Sequence, residues 1–138
     1  MTFIEGGVER TDSPERTLLK SLFLAALEAV DPAVSVPPHL PELPIGRMLV
    51  IAYGKAAASM AAAVERHWYV PLYGLAVTPY GHDLPCARIE VIESGHPLPD
   101  ATSAEAARRG LHLARELGPD DLLLALASGG GSATLSLG

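Results

Sequence analysis

The sequence predicts an α/β fold in three layers around a mainly parallel sheet. Three observations carry that reading. Apolar runs at 47–52, 74–78, 88–93 and 121–127 have the length and continuity of strands covered on both faces. Ala-rich stretches with helical spacing separate several of them. The residues after each run are the unusual ones, rich in Gly, His, Ser and the scarce lysine.

Composition supports the same class. With 49% hydrophobic and 19% charged residues over 138 positions, and a mean hydropathy of +0.25, the chain is too apolar to stay unfolded. One domain of this size buries about two-thirds of its unfolded surface and needs no covalent staple. The single Cys86 excludes an intrachain disulfide and every multi-cysteine zinc pattern, and it predicts a reducing, cytoplasmic setting. Ten Lys+Arg against 16 Asp+Glu give a net charge of -6, which argues against nucleic acid or an anionic membrane as partner. The first ten residues lack a basic segment followed by an apolar one, so no secretory signal is predicted, and no apolar run approaches the roughly 20 residues of a membrane span.

Along the chain, Ser13-Pro14 reads as an N-cap with proline at N1, opening a helix that runs to Asp31-Pro32. Five of the 12 prolines fall within 32–46, which predicts an extended connector. The strand at 47–52 turns at Tyr53-Gly54-Lys55 into a helix over 56–67, whose inward face is expected at Ala56, Met60, Ala63, Val64 and His67. The strand at 74–78 then completes a right-handed parallel crossover. After the strand at 88–93 and a loop to Asp100, Thr102 to Glu105 fits a capping box. The helix that follows is expected to bury Ala104, Ala107, Leu111 and Ala114 and to end at a left-handed Gly118. The strand at 121–127 is expected to be central. It delivers Ser128-Gly129-Gly130-Gly131-Ser132 and the start of another helix.

In a parallel sheet, ligands bind beyond the carboxyl ends of the strands, and the candidate site residues all lie there. Gly54 and Lys55 sit at a helix start, where backbone N–H groups and a lysine charge suit an anion; the alternative is a lysine lying over an Ala-rich helix. Ser128, Gly129, Gly130, Gly131 and Ser132 offer unobstructed N–H groups and two hydroxyls to a phosphate or carboxylate, or else form a plain glycine-rich linker. The run matches neither nucleotide-binding glycine motif and is no nucleophile elbow. His96, after Gly95, either bonds a substrate and moves a proton or stiffens its own loop. Thr78, Tyr80 and His82 follow the second strand as ligand contacts or turn formers, and Asp100 is a helix start or a catalytic carboxylate. No third histidine or paired carboxylate has the spacing of a metal site.

Four ordered segments, YGKAAASMAAAVE (53–65), GLAVTPYGH (74–82), IEVIESGHPLPD (89–100) and DLLLALASGGGSA (121–133), resemble the N-terminal part of the glycerate 2-kinase family. Some chains of that family carry the name of hydroxypyruvate reductases. The resemblance implies a Rossmann-like N-terminal domain facing a second α/β domain across a cleft. It implies phosphorylation of D-glycerate on its 2-hydroxyl with ATP and Mg2+, with Lys55 and His96 catalytic and the loops at Gly54, Thr78, Tyr80, His82, Gly95, Asp100 and 128–132 binding substrate or phosphate. Family members extend far beyond 138 residues. The chain by itself is therefore expected to be an incomplete N-terminal domain, inactive alone, that self-associates or pairs with a complementing C-terminal chain.

Overall fold

The computed structural model describes residues 13–137, so the reading of the first ten residues as lacking a secretory signal lies outside the described residues. The chain divides into two compact units, Met1–Asp31 and Pro32–Gly138. In the first, α1 (Pro14–Ala29) begins as its sequence predicts: the Ser13 side chain accepts the Arg16 N–H, and Pro14 occupies the first turn. It ends at Ala29, two residues before Asp31, with Val30 as its C-cap, and buries none of its residues.

The second unit departs at its start from the sequence expectation. The segment expected to be extended holds a helical turn, α2 (Pro32–Ser35), and a 3-10 turn, Pro37–His39. Proline is excluded from a helix interior but favoured in its first turn, and both pieces are short enough to be all first turn. Val36 and Leu40 pack from this segment onto the core below.

The sheet contains β1 (Met48–Tyr53), β2 (Tyr73–Pro79), β3 (Ile89–Ser94) and β4 (Leu122–Ala127), all parallel, in the order β3-β2-β1-β4. Side chains alternate across it. Met48, Val50, Ala52 and Ala76 face α3 (Ala57–His67), against Ala57, Ala61 and Val64. Leu75 and Val77 face the other way, toward Ala106 of α4 (Ala101–Arg115). Helices thus cover both faces, and the three-layer expectation holds. Each fully buried Leu or Val of β1 and β2 contributes about 1.5–3 kcal/mol relative to exposure.

Several local expectations shift. The buried face of α3 is Ala57, Ala58, Ala61, Ala62, Ala63 and Val64, while Met60 is half-buried and His67 exposed. In α4 the buried residues are Ser103, Ala106, Ala107 and Gly110, while Leu111 is exposed. Alanine tolerates either side of a helix, so its position does not mark the inward face. The α4 cap is Asp100, whose side chain accepts the Ser103 N–H while Ser103 Oγ accepts the Asp100 N–H, not Thr102 with Glu105. Gly118 is not left-handed; Glu116 ends the helix, and the Gly118 N–H donates to Asp121. Finally, β4 lies at the sheet edge rather than in its centre, with Leu123 and Ala125 exposed. The connection from β2 to β3, residues 80–88, contains no helix; Cys86 tucks from it against the α3 face.

Candidate functional site

Strand order creates the site. From β1 the chain moves through α3 to β2 and then β3, and it returns through α4 to β4 on the opposite side of β1. The order therefore reverses between β1 and β4, and the two loops leaving their carboxyl ends border the crevice where ligands of doubly wound sheets bind. Those loops are Gly54-Lys55 and residues 128–132.

The two loops are laced together. The Lys55 N–H donates to the Gly129 carbonyl (2.9 Å), the Ser128 N–H to Tyr53 (3.0 Å) and the Ala56 N–H to Ser128 Oγ (3.0 Å). The Ser128 hydroxyl also donates to the Tyr53 carbonyl (3.3 Å). It is therefore committed to the backbone of the neighbouring β1–α3 turn rather than free as a ligand group. Gly54 has φ +107° and sits so close to Ser128 that a Cβ would meet its Oγ at 2.4 Å. Glycine is required there.

Beyond Ser128 the loop folds over the rim and begins α5 (Gly131–Thr134) inside the glycine run itself. Gly130, at φ +85°, is where Lys55 and His96 meet: a Cβ on it would lie 2.8 Å from His96 Cδ2, 2.9 Å from its Nε2 and 3.5 Å from Lys55 Cγ. The fold thus brings together a lysine from β1, an imidazole from beyond β3 and the glycine loop from β4. Among the described residues, no protein acceptor meets the N–H groups of Gly129, Gly130 or Ser132. Gly129 and Ser132 are exposed and Gly131 is buried.

Gly95 is buried, and a Cβ there would press on the Leu98 carbonyl at 2.5 Å. It holds the His96 loop, which includes a cis His96–Pro97 bond, in a tight turn back toward Asp100. The other candidates take structural places. Asp100 caps α4 and accepts the Tyr80 hydroxyl at 2.8 Å, bracing the loop after β2 against the loop after β3. The Ser103 N–H foremost, then the Tyr80 hydroxyl, lowers the Asp100 carboxyl to about 2. Thr78 is fully buried, with its hydroxyl 3.5 Å from the His82 carbonyl, and the exposed His82 side chain is not drawn toward Lys55 or His96 by any hydrogen bond.

Three polar residues of this region escape sequence reasoning. Ser94 and Thr134 are fully buried, and Ser94 Oγ donates to the Thr134 carbonyl at 2.9 Å. Glu93 accepts the Gly81 N–H at 2.5 Å. A hydroxyl closing an apolar strand is the one signal the sequence offered for Ser94.

This geometry defines a class, a doubly wound parallel α/β domain with a cationic, glycine-lined rim at its point of strand-order reversal. The chain belongs to the family described as a domain of unknown function, DUF4147, whose model matches residues 18–138. It is 48% identical over 125 residues to a protein of Agrobacterium vitis that bears a hydroxypyruvate reductase name, covering 90% of this chain and 28% of that one. It is 41% identical over 114 residues to a D-glycerate 2-kinase of Thermotoga maritima, covering 81% of this chain and 27% of the relative. The crystal structure of a glycerate kinase from Thermotoga maritima superposes with a TM-score of 0.78 at 37% identity, over 86% of this chain and 29% of that one. The chain thus spans less than a third of the length of these relatives. The four-segment resemblance and the parallel α/β fold are both upheld by these matches.

Proposed function

We propose that this chain forms the phosphate- and substrate-facing N-terminal part of a glycerate 2-kinase, an enzyme that transfers the γ-phosphoryl group of ATP to the 2-hydroxyl of D-glycerate, giving 2-phosphoglycerate and ADP. One observation carries the reading: Lys55, His96 and the glycine loop converge on Gly130 at the strand-order reversal. In the transfer, the hydroxyl oxygen bonds to the γ-phosphorus while the bond to ADP breaks, and the hydroxyl proton leaves. Lys55 would neutralise charge on the moving group or on the substrate carboxylate, and the N–H groups of Gly129, Gly130 and Ser132 would hold an oxyanion. His96 would bond the hydroxyl or take its proton.

The resemblance also implies Mg2+. Among the described residues, however, no three His, Cys, Asp or Glu side chains converge, and Asp100 and Glu93 are committed to backbone N–H groups. The donors of this rim fit an oxyanion and do not by themselves form a metal site, so Mg2+ would have to be held largely by the nucleotide phosphates. Phosphoryl transfer depends on positioning and charge neutralisation from all sides, so the chain alone is proposed to be inactive, associating with itself or with a complementing C-terminal chain. No helix among the described residues is long and apolar enough to cross a membrane; with one cysteine and an acidic balance, a cytoplasmic location is proposed.

The competing reading, hydroxypyruvate reduction, is favoured by the name that two relatives bear. It requires a nicotinamide site, and the chain has no G-x-G-x-x-G. Assaying the full-length protein with glycerate and ATP, and in parallel with hydroxypyruvate and NADH, separates the two. ADP formation supports the kinase; NADH oxidation without ADP formation overturns it.

A further inference from the structure

We propose that Thr134 is a positioning residue that sets the spacing of the glycine loop from Lys55 and His96, an inference that rests on the oxyanion-rim reading above. Thr134 is fully buried, yet its polar atoms bind three different parts of the rim. Its Oγ1 accepts the Gly54 N–H at 3.0 Å, one residue before Lys55. The same hydroxyl donates to the Gly131 carbonyl at 3.4 Å, beside Gly130. Its own carbonyl accepts the Ser94 hydroxyl at 2.9 Å, two residues before His96. The β1 turn, the loop after β3 and the glycine run are thereby tied to one side chain and its peptide.

The Gly54 N–H already has the Val77 carbonyl at 3.0 Å, so the Thr134 hydroxyl is not needed to satisfy that donor. What it adds is a tether between the β1 turn and α5. The tolerance it governs is narrow, since Gly130 has room for a hydrogen but not for a methyl group against the His96 ring. A displacement of a few tenths of an ångström on either side changes the relation of Lys55, His96 and the free N–H groups, and constellations of this kind lose function when their supporting contacts loosen.

The test uses Thr134→Val, which keeps the shape and removes the hydroxyl, Thr134→Ser, which keeps the hydroxyl and removes the methyl, and Ser94→Ala. Each variant of the 138-residue chain is titrated with inorganic phosphate while the amide resonances of Gly129, Gly130 and Ser132 and the His96 ring resonances are followed by NMR. Thr134→Val is expected to move the Gly130 and His96 signals before phosphate is added and to weaken phosphate binding about tenfold, while Thr134→Ser returns within about twofold of the parent. Ser94→Ala is expected to move the His96 signals with Gly54 and Lys55 unchanged. A folded Thr134→Val with parental signals and phosphate affinity overturns the proposal, as does a Thr134→Ser that behaves like the valine variant, because the hydroxyl would then be irrelevant. If Thr134→Val unfolds, unmoved His96 signals in Ser94→Ala overturn it instead. Failure of the parent chain to bind phosphate counts against the oxyanion rim itself, while the ligand-free resonances still decide the role of Thr134.

Discussion

At Gly130 the backbone must be left-handed and the space beside it must be empty, and these two demands come from different causes. The φ of +85° disfavours any side chain, and the His96 ring occupies the place of a Cβ. Gly130→Ala is expected to cost about 1–3 kcal/mol in urea unfolding, from backbone strain alone, and to push His96 aside. Lys55 offers the opposite case. Its side chain is exposed, so Lys55→Ala is expected to leave stability within about 0.5 kcal/mol. In a full-length protein with the proposed kinase activity the same change should remove about 3 kcal/mol of transition-state stabilisation, more than a hundredfold in turnover. Unaltered steady-state kinetics would return Lys55 to the role of a surface lysine.

Between elements, three carboxylates fasten strand and helix starts. Asp121 joins the starts of β1 and β4, accepting the Arg47 N–H at 2.6 Å, its guanidinium at 2.8 Å and the Gly118 N–H at 2.8 Å. The Arg47 guanidinium foremost, with the Gly118 and Arg47 amides, lowers its carboxyl to about 2. Asp100, likewise at about 2, fastens α4 to the loop after β3. Both groups titrate lower when folded than the ~3.9 of an unfolded aspartate, so both stabilise the fold above that value and cease to do so as pH falls toward 2. Unfolding free energy is expected to be level from about pH 7 to 5 in these two contributions and to decline between about pH 4 and 2. Asp121→Asn and Asp100→Asn should each flatten that acid limb; an undiminished slope in both would assign it to other carboxylates. Glu65 performs a comparable task at the start of β3, accepting the N–H groups of Ala87, Arg88 and Ile89 at 2.6–2.7 Å. The Arg88 guanidinium in turn donates to the carbonyls of Glu65, Trp68 and Val70, closing the end of α3. Glu65→Ala strands several backbone donors at once and is expected to cost about 2 kcal/mol or more by chemical denaturation.

For the sheet as a whole, the placement of β4 decides how the chain behaves in solution. An edge strand presents unpaired backbone groups, and here its outward side also carries Leu123 beside a groove of about 370 Å3 lined by Ile51, Ala107, Gly110 and Leu135. The 138-residue chain is expected to elute as associated species in size-exclusion chromatography with light scattering, and Leu123→Lys to raise the monomer fraction. A monodisperse monomer at high concentration, with or without the lysine, counts against association through this edge.

The sequence by itself determined the four strands, the two long helices between them and the rim on which Gly54, Lys55, His96 and residues 128–132 lie, because those features are written in local periodicity, turn residues and caps. Ser13-Pro14 is such a case: cap and first turn are adjacent in the chain, and the helix starts where they say. The inward faces of α3 and α4 were not legible in the same way, since alanines occur on every side of both helices and only the sheet beneath selects which are buried. The start of α4 was legible only as a choice, since the sequence offers both Asp100 and Thr102 as caps, and the structure takes Asp100 with Ser103. The edge position of β4 follows from strand order, a choice made among distant segments. The tether at Thr134 spans 80 residues to Gly54 and 40 to Ser94; contacts of that range leave no periodic trace, so only tertiary packing, which buries these hydroxyls and obliges them to find partners, decided that they meet.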